Sequence, residues 1–423
     1  MSVEERKVIE NIEIMAPAGN FECLTAAAQG GANAVYFGVG NLNMRSRSAN
    51  NFTFDDLPKV VEFCKANNMR SYLTVNTVLY DDELNDMRQL VDIAKQTGIS
   101  AIIASDIAVI QYARQQGVEV HISTQLNLTN IEAVNYYAQF ADVVVLSREL
   151  PLDKVKKIYE QIETRQIKGP NGNLVQIEMF CHGALCMAVS GKCYLSLHEY
   201  NASANRGACY QLCRRGYSVT DNETGRVLEI DNEYIMSPKD LCTIGFLDKM
   251  INAGVRVLKI EGRARSADYV KTVANCYRRA VNALSEGNYT PQLIEELSTE
   301  LQTVFNRGFW DGYYQGARLG EWSEVYGNKA TEQKTYLAKV TNYFSNLGVA
   351  EILLETGDLS VGDEVLVIGQ TTGVLRIKIF EIRVQLQSVQ IAKKGELCSI
   401  PLADKIRRGD KIYIVTTRSS ELL

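Results

Sequence analysis

The chain has 423 residues, 46% of them hydrophobic and 22% charged, and its formal net charge is −5 at pH 7. This length allows two or more domains with substantial cores, and the composition excludes a wholly disordered chain. The acidic balance argues against a general polyanion-binding protein, although a local basic patch is compatible with it.

Eight short apolar runs alternate with amphipathic stretches over residues 1–280. Runs of four to eight residues that end in polar residues or glycine are typical of buried parallel strands. They begin at Ile12, Ala34, Ser71, Ala101, Val118, Asp142, Ile177 and Val257. Eight strand–helix units predict an α/β fold, a TIM-like (β/α)8 barrel, with a doubly wound open sheet as the alternative.

The regular spacing is broken once, between the seventh run, which ends near His182, and the eighth, which starts near Val257. We take residues 184–250 as an insertion within a catalytic barrel of residues 1–330. The loops that follow the strands of such a barrel form its active site. The insertion is therefore predicted to lie at the catalytic mouth.

Half of the ten cysteines crowd into this insertion, among glycine, serine, arginine and tyrosine rather than in an apolar pattern. They are Cys186, Cys193, Cys209, Cys213 and Cys242. Thiolates gathered by a loop suit zinc or an iron–sulfur cluster, and ordinary buried cysteines are the alternative. The spacing lacks the close Cys-x₂-Cys pairs of structural zinc, which leaves zinc as the second choice.

The compartment is predicted from the first residues and from the apolar runs. The start of the chain has no apolar export signal, and no apolar run is long enough to span a bilayer. We therefore expect a cytoplasmic protein with no membrane partner, in which reducing conditions favour metal ligation over disulfides.

From about Lys334 the chain changes to short β runs separated by glycine and aspartate turns. Val361-Gly-Asp-Glu and Arg408-Gly-Asp-Lys are repeated turn signatures. This pattern predicts a small antiparallel β-barrel domain over residues 334–423, whose role is support or docking of a large substrate.

Polar side chains follow the predicted barrel strands and would line the mouth. Arginine, lysine and amide groups in a ring suit an anionic small molecule that carries carboxylates or phosphate. A hydrolytic pair of Cys181 and His182 is disfavoured because adjacent residues of a strand face opposite ways. Basic residues near Arg206 and along residues 256–279 are as compatible with a solvated surface as with RNA contact.

Several segments together resemble the collagenase-like peptidase family, peptidase family thirty-two. They are Ala16-Pro-Ala-Gly, Glu178-Met-Phe-Cys-His-Gly-Ala-Leu-Cys-Met-Ala-Val-Ser-Gly-Lys-Cys, Asn205-Arg-Gly-Ala-Cys-Tyr-Gln-Leu-Cys-Arg and Leu258-Lys-Ile-Glu-Gly-Arg. The resemblance covers nearly the whole barrel, and the terminal β region resembles the second domain of elongation factor Tu. Family members of similar length resemble prephenate-dependent tRNA hydroxylases, which convert wobble uridine to 5-hydroxyuridine.

The resemblance implies a tRNA hydroxylase that carries a [4Fe–4S] cluster on four cysteines and uses prephenate, a dicarboxylate, as co-substrate. We expect Cys186, Cys193 and Cys209 as ligands. Cys242 is favoured as the fourth over Cys213, because residues 236–242 look like a β run folded back toward the mouth. A paralogue or a second copy of the chain is a further possible partner.

Roles for the mouth residues follow from the strand ends and from this resemblance. The expected catalytic residues are His182, Glu178, Lys259 and Glu261. The expected substrate-binding residues are Arg45, Asn51, Gln125, Asn127, Arg148, Arg206 and Arg263. The alternatives are hydroxylation of a ribosomal RNA cytidine, a collagenase-like peptidase, and a non-enzymatic RNA-binding scaffold.

Overall fold

The computed structural model describes residues 3–47, 49–228, 236–316, 320–323 and 327–418. The predicted insertion and the predicted C-terminal domain therefore include residues outside the described ones, namely 229–235 and 419–423. The α-helices are α1 (Val3–Glu10), α2 (Phe21–Gln29), α3 (Leu57–Ala66), α4 (Leu84–Thr97), α5 (Ile107–Gln115), α6 (Ile131–Ala138), α7 (Leu152–Thr164), α8 (Leu195–Tyr200), α9 (Leu247–Asn252), α10 (Ala267–Glu286) and α11 (Pro291–Thr303).

The strands fall into a first group up to residue 310 and a second group beyond it. The first group is β1 (Glu13–Pro17), β2 (Ala34–Phe37), β3 (Arg70–Val75), β4 (Ala101–Ala104), β5 (Val120–Ile122), β6 (Val143–Val145), β7 (Gln176–Gly183), β8 (Val219–Thr220), β9 (Val227–Leu228), β10 (Asp240–Cys242), β11 (Val255–Ile260) and β12 (Phe309–Trp310). The second is β13 (Glu332–Phe344), β14 (Val349–Leu354), β15 (Leu359–Ser360), β16 (Glu364–Gly369), β17 (Gly373–Lys378), β18 (Ile382–Val384), β19 (Gln387–Val389), β20 (Ile391–Ala392), β21 (Leu397–Pro401) and β22 (Lys411–Thr417).

Strands β1 to β7 and β11 close into a parallel barrel. Neighbouring strands from β1 to β7 pair in chain order, and β11 pairs with both β1 and β7. All eight predicted runs are strands of this barrel, so the TIM-like prediction is confirmed and the open sheet is excluded.

Apolar side chains fill the barrel on both faces of its strands, as buried parallel strands require. A cluster that includes Met15, Tyr36, Tyr72 and Ile103 fills the interior. A larger cluster packs the outer faces of the strands against the surrounding helices. Helix starts follow the expected capping chemistry, since Asn20 accepts a hydrogen bond from the Cys23 N–H at the start of α2.

The insertion after β7 returns to the barrel as extra strands. Strand β10 pairs antiparallel with the end of β7, with Leu241 opposite Gly183 and Cys242 opposite His182. Strand β12, from the segment after α11, then pairs parallel with β10. Gly183 has φ of 103°, and a Cβ there would lie 2.5 Å from the Glu261 carbonyl oxygen, so this crossing of strands needs glycine.

The C-terminal region forms an antiparallel sheet in the order β17-β16-β22-β13-β14-β21-β18-β19, with its own apolar core. It packs on the outside of the barrel against α2 and α10. Gln29 donates to the Thr372 carbonyl at 2.8 Å and accepts from the Val374 N–H at 2.9 Å, while Thr25 donates to the Gln370 carbonyl at 2.6 Å. The exact domain limits, 1–330 and 334–423, stay a prediction.

In the part of the chain that the structure describes, no helix has both the length and the apolar character that a bilayer crossing demands.

Candidate active site at the barrel mouth

A cavity of about 230 Å³ lies where the barrel strands end and is covered by the insertion. Tyr36, Thr74, Phe180 and Lys259 reach it from four different barrel strands. The loop from residue 184 to 191, together with residues near 209, forms the opposite wall. The insertion thus lies at the mouth, as its position after the seventh strand predicted.

Four cysteines of the insertion line this one cavity, namely Cys186, Cys193, Cys209 and Cys213. Burial raises the pKa of the Cys213 thiol to about 11, and its three neighbouring cysteines add to the rise while Arg214 opposes it. Cys186 is exposed and the other three are partly buried. These four thiols are therefore close enough to act on one another electrostatically.

Cys242, the favoured fourth ligand, lies elsewhere among the described residues. It belongs to β10 and is absent from the cavity wall, and the hydroxyl of Tyr277 on α10 contacts its thiol. Burial raises its pKa to about 11, partly offset by hydrogen bonds from the Ile244 N–H and from Tyr277. The structure thus brings Cys213, not Cys242, to the other three cysteines; ligation itself stays a prediction.

The donor set can be compared with the two candidate metal groups. No three His, Cys, Asp or Glu side chains in the described ranges are placed to share a single metal ion. Tetrahedral zinc, with Zn–S bonds of about 2.3 Å, needs thiolates within roughly 4 Å of one another. Four cysteine thiolates are the usual ligands of an iron–sulfur cluster, whose several irons and sulfides separate them further. Four cysteines on one wall match the number of ligands that a cluster needs, and the metal group itself stays a prediction.

Two ion pairs stand on the barrel side of the cavity. Lys259 Nζ lies 2.6 Å from Glu178 Oε1, and both side chains are buried. Arg45 Nη2 lies 2.7 Å from Glu261 Oε1. Glu261 is the main cause of the raised pKa of Arg45, and Cys209 also contributes, which puts that thiol near the pair. Because burial of charge is costly, these carboxylates hold their cations in fixed positions.

Arg263 has a hydrogen-bond network made of neutral groups. Its Nη1 donates to Thr74 Oγ1 at 3.0 Å, and its Nη2 donates to Asn43 Oδ1 at 2.8 Å and to Asn51 Oδ1 at 2.6 Å. Burial is the main cause that lowers its pKa to about 10. Gly38 makes space for this guanidinium, because a Cβ at that position would lie 2.5 Å from Arg263 Nη2.

Arg148 lies across the cavity with its guanidinium 3.8 Å from the centre of the Phe180 ring. Its Nη1 donates to the Ala184 carbonyl at 3.1 Å. The Nε atoms of Arg148 and Arg263 are both buried without a hydrogen-bond partner. An unpaired buried donor is costly, so each arginine gains if an anionic oxygen enters the cavity.

The described lining is strongly cationic. Its basic residues are Arg45, Arg148, Arg214, Lys259, Arg263, Arg265 and Arg307. Glu261 is the one described lining carboxylate, and Glu178 and Asp240 behind the wall pair with Lys259 and Arg307. Low-dielectric walls strengthen such a field. The cavity is therefore suited to a small anion with more than one negative group.

Six predicted site residues do not line the cavity in the described part of the chain, namely His182, Glu178, Asn51, Asn127, Arg206 and Cys242. His182 packs against the rings of Tyr269, Tyr277 and Phe309, and burial lowers its pKa to about 3. Such a neutral, enclosed imidazole is poorly placed to exchange protons with a substrate.

Arg206 and Asn127 form hydrogen bonds that hold the insertion in place. Arg206 forms two hydrogen bonds with Glu83, at 2.8 and 2.7 Å, outside the cavity. Asn127 donates to the Ser190 carbonyl at 2.8 Å and so ties the cysteine loop to the end of β5. Gln125 does line the cavity and accepts from Asn76 Nδ2 at 3.3 Å, and Asn51 acts through Arg263.

Histidine chemistry is absent from the described cavity wall. His121 sits at the other end of the barrel, 3.0 Å from Glu119, and His198 lies on α8. Within the described ranges no hydrogen bond joins a cysteine thiol to a histidine. The described wall thus has thiols but no histidine beside them, and a cysteine protease needs such a cysteine–histidine pair.

Sequence reasoning missed lining residues that come from irregular segments. Arg307 follows α11 and pairs with Asp240 at 3.1 Å, and Arg265 stacks 3.5 Å from the centre of the Phe305 ring. Arg214 donates to the Leu185 and Pro238 carbonyls, both at 2.5 Å, and so fixes the insertion. Arg265 and the arginine next to Cys213 carried a signal, because both lie in stretches that the sequence marks as basic, whereas Arg307 carried none.

The chain is similar in sequence to known proteins over most of its length. The sequence profile described as Peptidase family U32 matches residues 19–324. A protein named Collagenase from Porphyromonas gingivalis is 58% identical over 405 residues, which is 96% of this chain and 98% of the relative. The tRNA hydroxylation protein P1 of Bacillus subtilis is 33% identical over 85% of this chain and 84% of its own. The 23S rRNA 5-hydroxycytidine C2501 synthase of Escherichia coli is 32% identical over 73% of this chain and 46% of its own.

Proposed function

The chain belongs to peptidase family U32, and we propose that within this family it is an RNA-modifying enzyme. The proposed reaction is prephenate-dependent hydroxylation of the wobble uridine of tRNA to 5-hydroxyuridine, with a [4Fe–4S] cluster as cofactor. The observation that carries the proposal is one cavity with four thiols on one wall and a cation-rich barrel mouth on the other.

Cys186, Cys193, Cys209 and Cys213 would hold the cluster. When bound, a cluster at this wall supplies a redox-active or Lewis-acidic centre beside the substrate. The thiols share the cavity with the cations, so whatever the cations hold lies next to the metal group. We therefore assign Cys213, in place of Cys242, as the fourth ligand.

The barrel side would bind and orient the dicarboxylate. Arg148 and Arg263 offer the two buried Nε donors that lack partners, and neither arginine is paired with a carboxylate in the hydrogen bonds described above. Charge-assisted bonds to these donors would position prephenate. Lys259 Nζ donates to Glu178 Oε1, 2.6 Å away, and this contact fixes the Lys259 side chain at the cavity wall.

The relatives carry two kinds of name, which correspond to RNA hydroxylation and to peptidase activity. Both hydroxylation relatives named above act on RNA by their names, whereas the 58% identical relative is named Collagenase. The described cavity wall favours hydroxylation, because it presents four thiols and several arginines but no histidine. Peptidase activity is therefore an outcome for the experiment rather than a second proposal.

The test combines metal analysis with nucleoside analysis. Anaerobically purified protein should show a broad absorbance near ~400 nm and about four irons per chain. Incubation with unmodified tRNA and prephenate should yield 5-hydroxyuridine by mass spectrometry. A colourless protein with zinc or no metal, or one that cleaves collagen with all four cysteines replaced, would overturn the proposal.

A further inference from the structure

Exposed tyrosines surround the cysteine wall of the cavity, and the chemistry described so far uses none of them. Tyr194 is 67% exposed, Tyr210 is 51% exposed and Tyr200 is 47% exposed. Large aromatic side chains normally bury most of their area. Three exposed rings in one short insertion therefore call for a ligand that contacts ring faces.

Each ring lies beside the cavity. Tyr194 stands in the chain between the lining residues Cys193 and Leu195, and Tyr210 stands between Cys209 and Gln211. The Tyr200 ring contacts the Tyr210 ring with centroids 5.3 Å apart. The opening itself is marked by residues 187 and 189, which line the cavity and are 44% and 46% exposed.

Arginines accompany these rings. Arg215 donates to the Tyr200 hydroxyl at 3.0 Å, with its guanidinium 5.7 Å from the centre of that ring. On the neighbouring loop, Arg206 stacks 3.8 Å from the centre of the Tyr80 ring, and Tyr80 is 56% exposed. We call Tyr80, Tyr194, Tyr200, Tyr210, Arg206 and Arg215 the tyrosine–arginine rim.

The local charge contrasts with that of the whole chain. Residues 184–217 contain four basic residues and one acidic residue, so their formal net charge is +3, whereas the chain has −5. Positive charge interleaved with exposed rings is the surface that single-stranded nucleic acids require, because phosphates meet the arginines and unpaired bases stack on the rings. A paired duplex offers no free base faces to such a surface.

From these observations we infer that the tyrosine–arginine rim binds the unpaired loop of an RNA and holds the bases that flank the one entering the cavity. The inference rests on the proposed function for the identity of the RNA, and it adds where and how the RNA is recognised. A peptide substrate is the competing partner, and a second copy of the chain is another.

Binding is measured by fluorescence anisotropy with the full-length protein, a labelled RNA hairpin that has an unpaired loop, and a fully paired duplex of equal length. Tyr194→Ala, Tyr200→Ala and Tyr210→Ala should each weaken hairpin binding about fivefold to a hundredfold. Tyr136→Ala is the matched control, since Tyr136 is 50% exposed on α6. Tyr194→Phe and Tyr210→Phe should bind like wild type, because stacking needs the ring and not the hydroxyl.

Several results would overturn the inference. They are equal affinity for the hairpin and the duplex, unchanged hairpin affinity in the alanine variants, and weaker hairpin binding by the phenylalanine variants. A change of oligomeric state in the alanine variants, measured by light scattering, would also overturn it. Competition by a collagen peptide for the hairpin would identify a peptide surface instead. Iron content and 5-hydroxyuridine formation are measured in parallel. RNA binding that depends on the rings but gives no 5-hydroxyuridine overturns the proposed function and supports the rim as an RNA-binding surface. Formation of 5-hydroxyuridine that does not depend on the rings overturns the rim and supports the proposed function.

Discussion

Arg148 has the clearest single-residue role in the proposed cavity. Among the described residues its buried Nε has no hydrogen-bond partner, while its Nη1 donates to the Ala184 carbonyl and its guanidinium stacks on the Phe180 ring. Arg148→Gln should weaken prephenate binding by about 10- to 100-fold, since a hydrogen bond to a charged group is worth roughly 1.5–3 kcal/mol. Isothermal titration of anaerobically purified protein measures the change. Arg165→Gln, which removes only a surface pair with Glu132, should leave the affinity unaltered. Unchanged affinity in Arg148→Gln would place the dicarboxylate elsewhere.

Cys213 and Cys242 are the two candidates for the fourth ligand of the proposed cluster, and they differ in position. Cys213 lines the cavity with three other thiols, whereas Cys242 packs beside Tyr277. Cys213→Ala should therefore lose the absorbance near ~400 nm and most of the iron, while Cys242→Ala should keep both. Thermal unfolding of each variant checks that the fold survives. The reverse pattern of iron loss would restore Cys242 as the ligand.

At the scale of elements, the insertion depends on a few polar contacts for its position over the mouth. Arg206 pairs with Glu83 across two loops at 2.7 Å. Glu83→Gln should speed hydrogen exchange in residues 184–217 by up to about fivefold, because a partly exposed pair is worth at most about 1 kcal/mol. Exchange followed by mass spectrometry measures this, with Glu381→Gln as a surface control. Combining Arg206→Glu with Glu83→Arg should restore protection; failure to do so would mean that charge pairing is not what holds the loop.

The sequence predicted the elements whose burial produces a regular pattern of apolar residues, and it was less informative where the chain is irregular. The barrel runs were recognisable because strands buried on both faces stay apolar along their length. The segment ending at Cys242 was expected to fold back as a β run, and β10 does so. Which way its thiol points depends on pairing with β7, since alternate residues of a strand face opposite sides. Arg307 lines the cavity from the irregular segment between α11 and β12, where the sequence has no periodic pattern that would mark it.

At the scale of the whole molecule, the C-terminal sheet is attached to the barrel on the side formed by α2 and α10. Leu366, Ile368 and Val374 of this sheet belong to the same apolar cluster as the barrel helices. Lys271 adds a hydrogen bond from α10 to the Val374 carbonyl at 2.8 Å. Since apolar contact and main-chain hydrogen bonds both cross this boundary, the sheet and the barrel should unfold together.

Gln29→Ala tests that coupling, because Gln29 bonds two main-chain groups of the sheet, at Thr372 and Val374. Removing it leaves an N–H and a carbonyl without these partners, so the free energy of unfolding should fall by about 1–2 kcal/mol. Calorimetry should still give one transition at a lower midpoint. Gln96→Ala, at an exposed position of α4, should change the midpoint little. A split into two transitions in wild type would show that barrel and sheet unfold independently and would refute this coupling.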